Sequence, residues 1–99
     1  MKIFYSMPMN GKSKEEIEQN LQVARRTLAP SDVICGYIEG HVPKPVDAKN
    51  EGIYFLSRSL KILSGCDAIC YTEEAFHSRG CGIEIQVARE YGMTEIMMR

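Results

Sequence analysis

Ile17, Leu21, Ala24 and Leu28 recur at helical spacing, with Glu15, Glu18, Gln22, Arg25 and Arg26 between them, and this alternation predicts an amphipathic helix. Ser13 supplies its N-cap, Glu16 completes a capping box, and Pro30 ends it. Ile53, Leu56, Leu60 and Leu63 predict a second helix over 52–64 with that stripe in the core, closed by Gly65. Phe55 and Ile62 fall roughly opposite the stripe and give this helix a second apolar face. A third helix, 80–91, carries Ile83, Val87, Ala88 and Tyr91 on one side and has Gly92 as its C-terminal cap. Short apolar or β-branched runs at 2–6, 32–38, 68–71 and 95–98 predict strands. Pro8 and Gly11 mark a loop after the first strand, and Pro43 and Pro45 mark a longer one over 40–49.

Strands therefore alternate with helices. Parallel neighbours need crossovers, and these are right-handed, so the expected architecture is α/β: one domain spanning 1–99, a four-stranded parallel sheet in the order 2-1-3-4, and helices on both faces. In such a sheet a ligand sits beyond the carboxyl ends of the strands, where the strand order reverses. That rule brings together the loops 6–11, 40–49 and 73–82. Glu73 and Glu74 in the last of these read as solvated loop charges.

Composition narrows the partners. Twelve basic residues against 13 acidic ones, with no basic run, give no footprint for a nucleic-acid polymer or an anionic membrane, and no window is apolar enough for a membrane span. The first apolar stretch reads as a strand rather than a signal peptide. Cys35, Cys66, Cys70 and Cys81 form no CxxC pair and have no histidine at ligand spacing, so no metal is expected, and they read as small buried hydrophobes in a reducing, cytoplasmic setting. His41 reads as loop surface; His77 adjoins a glycine turn and is a candidate ligand contact. The two apolar sides of the 52–64 helix predict a homodimer or higher homo-oligomer.

The segment from Ser78 to Glu84 concentrates the chemistry. Gly80 and Gly82 let backbone approach a ligand, the helix start offers free amides, and Ser78 and Arg79 add a hydroxyl and a guanidinium, all features of an anion site. Glu84 falls inside the apolar stripe of its helix. An acid in that position is either tied up by hydrogen bonds or does chemistry, and amides at the helix start favour its ionised form.

Ser78, Gly80, Gly82 and Glu84 reproduce a Ser-x-Gly-x-Gly-x-Glu pattern. In this the chain resembles the nucleoside 2-deoxyribosyltransferase superfamily, in particular its 2′-deoxynucleoside 5′-phosphate N-hydrolase branch. The opening run from Ile3 to Gly11 is similar to the Tyr-Ile-Ser-Gly-Pro-Met-Thr-Gly start of a small bacterial and phage family in that superfamily, and 58–68 is similar to its helix running into a Cys-Asp-Ala strand. The resemblance spans nearly the whole chain and implies a small flavodoxin-like or Rossmann-like three-layer sandwich. It implies cleavage or transfer at the N-glycosidic bond of a nucleotide or nucleoside, without a cofactor. By position, Glu84 would attack the anomeric carbon or stabilise its oxocarbenium character. Ser78 would contact a 5′-phosphate, with Gly80, Gly82, Arg79, Ser6 and Met7 around it. The transferase branch carries an aspartate in place of Ser78, so the serine points towards phosphorylated substrates.

Two positions depart from the family pattern. Phe4 stands where a tyrosine helps to orient the nucleophile, and Tyr5 points to the opposite face of a strand. Ser59 stands where an aspartate assists the departing base, and losing a positioned proton donor typically costs roughly 10²- to 10⁴-fold in rate. Tyr5 and Ser59 are thus candidate helpers in a reduced set, and Met7 in place of a glycine narrows the phosphate side. Three readings stand at this point: an N-glycosidase or deoxyribosyltransferase-like enzyme, a nucleotide-binding protein that sequesters a signal, and a fold in which Glu84 is a structural acid.

Overall fold

A computed structural model describes residues 1–36, 47 and 49–99. The chain runs β1 (Lys2–Tyr5), α1 (Lys14–Thr27), β2 (Asp32–Cys35), α2 (Glu51–Leu63), β3 (Ala68–Tyr71), a 3-10 turn (Glu73–His77), α3 (Arg79–Glu90) and β4 (Thr94–Met97). The expected end of the second strand at Ile38, most of the proline-containing loop and His41 lie outside the described residues.

All pairings are parallel and the strand order is β2-β1-β3-β4. This is the expected sheet, a small flavodoxin-like arrangement. Right-handed crossovers from this order put α1 on one face and α2 with α3 on the other. The two apolar clusters agree. One joins Ile3, Tyr5, Val33 and Cys70 to Ile17 and Ala24 of α1; the other joins Phe4, Ile69 and Tyr71 to Leu63 of α2 and to Cys81, Ile85 and Ala88 of α3. Each fully buried Ile or Phe in these clusters contributes about 1.5–3 kcal/mol relative to exposure.

Local signals account for the element ends. Ser13 caps α1 by accepting the Glu16 amide at 3.1 Å, and Asn50 caps α2 by accepting the Ile53 amide at 2.9 Å. Gly92, at φ +72°, closes α3 with a Met93 amide to Ala88 carbonyl bond of 2.9 Å, a left-handed cap that other residues adopt at a cost.

Two helices present faces other than those expected. On α3 the buried residues are Cys81, Glu84, Ile85 and Ala88, while Ile83 is 39% exposed and Tyr91 84% exposed. The inward face is turned most of a quarter-circle from the predicted stripe, and Glu84 falls inside both. On α2, Ile53 is 64% exposed although it was expected in the core, and Ile62, expected outside, packs against the α3-side cluster. By the roughly 100° step, Ile53 lies to one side of the line from Leu56 to Leu63, and Ser59 lies to the other. The helix is rolled so that Ser59 looks inward, towards the carboxyl edge of the sheet.

Candidate active site

β1 and β3 are neighbours, yet the chain leaves β1 for β2 on one side and arrives at β3 from the other. The switch point of the sheet is therefore between the carboxyl ends of β1 and β3. A cleft of about 270 Å³ opens there. Phe4, Tyr5, Met7, Met9 and Asn10 line it from β1 and the following loop, Gly36 from the end of β2, Gly52, Phe55, Leu56 and Ser59 from α2, and Ser78, Gly80 and Glu84 from α3 and its cap.

Strand parity explains which side chains meet. Phe4 and Ser6 face α3, whereas Ile3, Tyr5 and Met7 belong to the α1-side cluster. Ser6 is also fixed by its backbone, its amide donating to the Cys70 carbonyl at 2.9 Å. Its hydroxyl donates to Glu84 Oε1 at 2.6 Å. Glu84 is 7% exposed. Burial pushes its carboxyl above the usual carboxylate range, while hydrogen bonding by Ser6 and, more weakly, by Ser59 pulls it back. The sequence suggested that helix-start amides would favour the ionised form. The net direction is the reverse, because Glu84 sits in the second turn of α3 and desolvation dominates.

Ser59, expected as a helper, lines the same cleft as Glu84. Phe4 has its ring on the Glu84 side of the sheet, the position at which the resemblance would expect a tyrosine; Tyr5 is on the other face, and its phenol is raised chiefly by burial. Cys81, one turn before Glu84, is buried and its thiol is also raised by burial.

The expected anion site is partly assembled. Ser78 caps α3, its hydroxyl lying a long 3.5 Å from the Cys81 amide, and it shares the cleft wall with Gly80. A Cβ built on Gly80 meets no atom within 4 Å, so the glycine leaves space on the cleft side that the protein itself does not fill. Arg79 is exposed, and neither it nor Gly82 lines the cleft; His77 is exposed at the end of the 3-10 turn and does not line it either. Glu74 is not a free loop charge: it pairs with Lys12 at 2.7 Å, tying the loop after β1 to the 3-10 turn after β3.

Gly36, Gly52, Leu56 and Phe55 escaped the sequence reading. Phe55 had a signal, an apolar residue off the main stripe, read as a subunit contact; it also lines the cleft. Gly36 lay inside the strand expected over 32–38; β2 ends at Cys35 and leaves the glycine at the ligand edge. Met9 and Asn10 fall in a loop the topology had already placed there. Cys35, Cys66, Cys70 and Cys81 form no disulfide, and among the described residues no cluster of His, Cys, Asp and Glu is placed to hold a metal ion. Among the same residues no helix is long and apolar enough to cross a membrane.

No protein-family model, curated protein or solved structure matches the chain. The chemistry of the cleft rests on its own geometry.

Proposed function

We propose that the cleft binds a nucleoside monophosphate or related nucleotide and breaks its N-glycosidic bond with Glu84 as nucleophile. The observation that carries this is the Glu84 carboxyl itself, nearly buried at the carboxyl edge of the sheet, with Ser78 and Gly80 of a helix amino terminus on the same cleft wall. A phosphate on the α3 amides leaves the sugar between them and Glu84. A Glu84 oxygen then forms a bond to the anomeric carbon as the carbon–nitrogen bond breaks, and its electron pair leaves with the base. Water completes hydrolysis, and a second base completes transfer. The Ser6 hydroxyl holds the attacking carboxylate at 2.6 Å from its own oxygen and fixes its direction.

Ionised Glu84 is the reactive form and its carboxyl is raised in the fold, so base release is expected to increase with pH along an acid limb displaced above the ordinary carboxylate range. The proposal places the protein, whose cysteines form no disulfide, in the cytoplasm, working without a cofactor. It also includes self-association through α2, on the exposed Ile53 and Phe55 rather than on Ile62. A monomeric mass by light scattering at micromolar concentration would remove that element alone.

A second reading, nucleotide binding without turnover, is favoured by one observation: the Ser6 hydroxyl is already bound to Glu84 and the helper expected from α2 is Ser59 on the cleft wall, a serine being a poor proton donor for a departing base. Incubation with a panel of deoxynucleoside monophosphates, followed by chromatography of released base, separates the two. Release that disappears in Glu84→Gln supports the enzyme. Thermal stabilisation by a nucleotide without release supports the binder, and neither result leaves Glu84 as a structural acid.

A further inference from the structure

Gly36 closes β2 at the cleft, and its backbone lies outside the left-handed region that favours glycine. No backbone conformation therefore calls for glycine at this position. Space does. A Cβ built on Gly36 comes to 2.6 Å from Ser59 Oγ and 3.9 Å from the Phe4 ring tip, and the first distance is one that real Cβ atoms essentially never show. By contrast the same Cβ lies 3.5 Å from Ser59 Cβ, an ordinary contact. The conflict is with the hydroxyl alone.

We propose that Gly36 is a positioning residue for the site: by lacking a side chain it lets the Ser59 hydroxyl occupy the place from which it reaches the Glu84 carboxyl. Ser6, from the end of β1, holds Glu84 by its 2.6 Å hydrogen bond, Ser59 of α2 lines the same cleft as the carboxyl, and the end of β2 contributes by what Gly36 leaves out. The hydrogen bonding of Ser59 to the carboxyl acts in the direction this geometry requires, favouring the ionised form. Among the described residues the titratable group that faces Glu84 is Cys81 on its own helix, whose thiol burial raises; Tyr5, on the opposite face of β1, is raised by burial as well. The inference concerns ionisation of the carboxyl whatever the cleft binds, so its failure and the failure of the proposed reaction are separate results.

The test is the titration of Glu84, followed by carbon-13 NMR of the side-chain carboxyl in glutamate-labelled protein, for Gly36→Ala, Ser59→Ala and the double variant. Each single substitution is expected to shift the midpoint upward, and the double variant to go no further than Ser59→Ala. An unchanged midpoint in Gly36→Ala, or shifts that add in the double variant, overturns the proposal, because a general loosening of the fold would not be cancelled by removing one hydroxyl. If Gly36→Ala does not fold, the double variant decides: recovery of the fold supports a clash with the Ser59 hydroxyl, and continued unfolding overturns it.

Discussion

Two glutamates on the α3 side of the sheet are held in opposite ways. Glu84, in the second turn of α3, is buried and meets hydroxyls. Glu95, on β4 beyond the other end of the helix, stands in partial contact with water and meets a cation: Arg89 Nε and Nη2 donate to its two oxygens at 3.1 and 2.8 Å, and the Tyr71 hydroxyl donates to Oε1 at 2.9 Å. Hydrogen bonding to Arg89, then to Tyr71, lowers the Glu95 carboxyl, whereas burial raises that of Glu84. A carboxylate that serves the fold is paired with charge and ionises easily. One kept among neutral donors in a cleft retains its proton longer and burdens the fold when it loses it, which is how a reactive group is stored.

The two directions have opposite consequences for stability. Glu84 is raised in the folded state, so its favourable contribution is present below its unfolded value and is lost as pH rises through the folded one. Glu95 is lowered, so its contribution is present above the unfolded value and is lost as pH falls through the folded one.

The strongest way to break this contrast is Glu84→Gln. Base release is expected to fall by about 10³-fold or more, while the melting temperature at neutral pH rises and the gain disappears in acid. Calorimetry showing no gain at neutral pH would mean that Glu84 is no burden, and the contrast with Glu95 would collapse. Ser6→Ala comes next. It removes the shortest bond to a buried carboxylate and should cost about 1–3 kcal/mol at neutral pH in a denaturant titration, with a smaller loss in acid, where Glu84 carries a proton. An equal loss at both pH values would assign Ser6 to packing alone.

Gly80→Ala sharpens the cleft side of the comparison. Because the added methyl meets no protein atom, stability should hold or rise by up to about 1 kcal/mol through helix propensity, while nucleotide affinity falls. Affinity unchanged by isothermal calorimetry would move the phosphate away from the start of α3. The smallest effect is expected at Arg89→Gln, a slight destabilisation that fades with added salt and as Glu95 is protonated, since exposed pairs are weak. A large loss there would show that the fastening of α3 to β4 matters more than its exposure suggests.

Element type, strand order and the Ser13 cap were legible in the sequence, because alternation of strand and helix signals with the right-handed crossover rule leaves few arrangements for so short a chain. Helix rotation was less so. Ile83 and Tyr91 were assigned to the core of α3, although the side that packs is the one with Cys81 and Ile85; apolar residues on several sides of a short helix fix its period but not its phase. Glu84 was placed correctly because it falls inside either stripe. Ile53 was misplaced for a related reason: α2 rolls to bring Ser59 inward, and a serine carries no weight in an apolar pattern.

At the site, Ser6 and Ser59 were named as candidates, but Ser6 not as the partner of Glu84 nor Ser59 as its neighbour on the cleft. Strand parity could have paired Ser6 with the α3 face, since it follows Phe4 by two. Gly36 could not have been tied to Ser59 from the sequence, because their contact depends on how α2 is rolled.

The Ser6 to Glu84 hydrogen bond joins positions 78 apart in the chain, and Gly36, Ser59 and Ser78 fall between them on separate elements. No fragment of the chain contains the site, so a ligand held there would fasten the first strand to the last helix. Its binding would then be measurable as resistance of the entire domain to unfolding, a staple across the chain that grows tighter with the logarithm of ligand concentration.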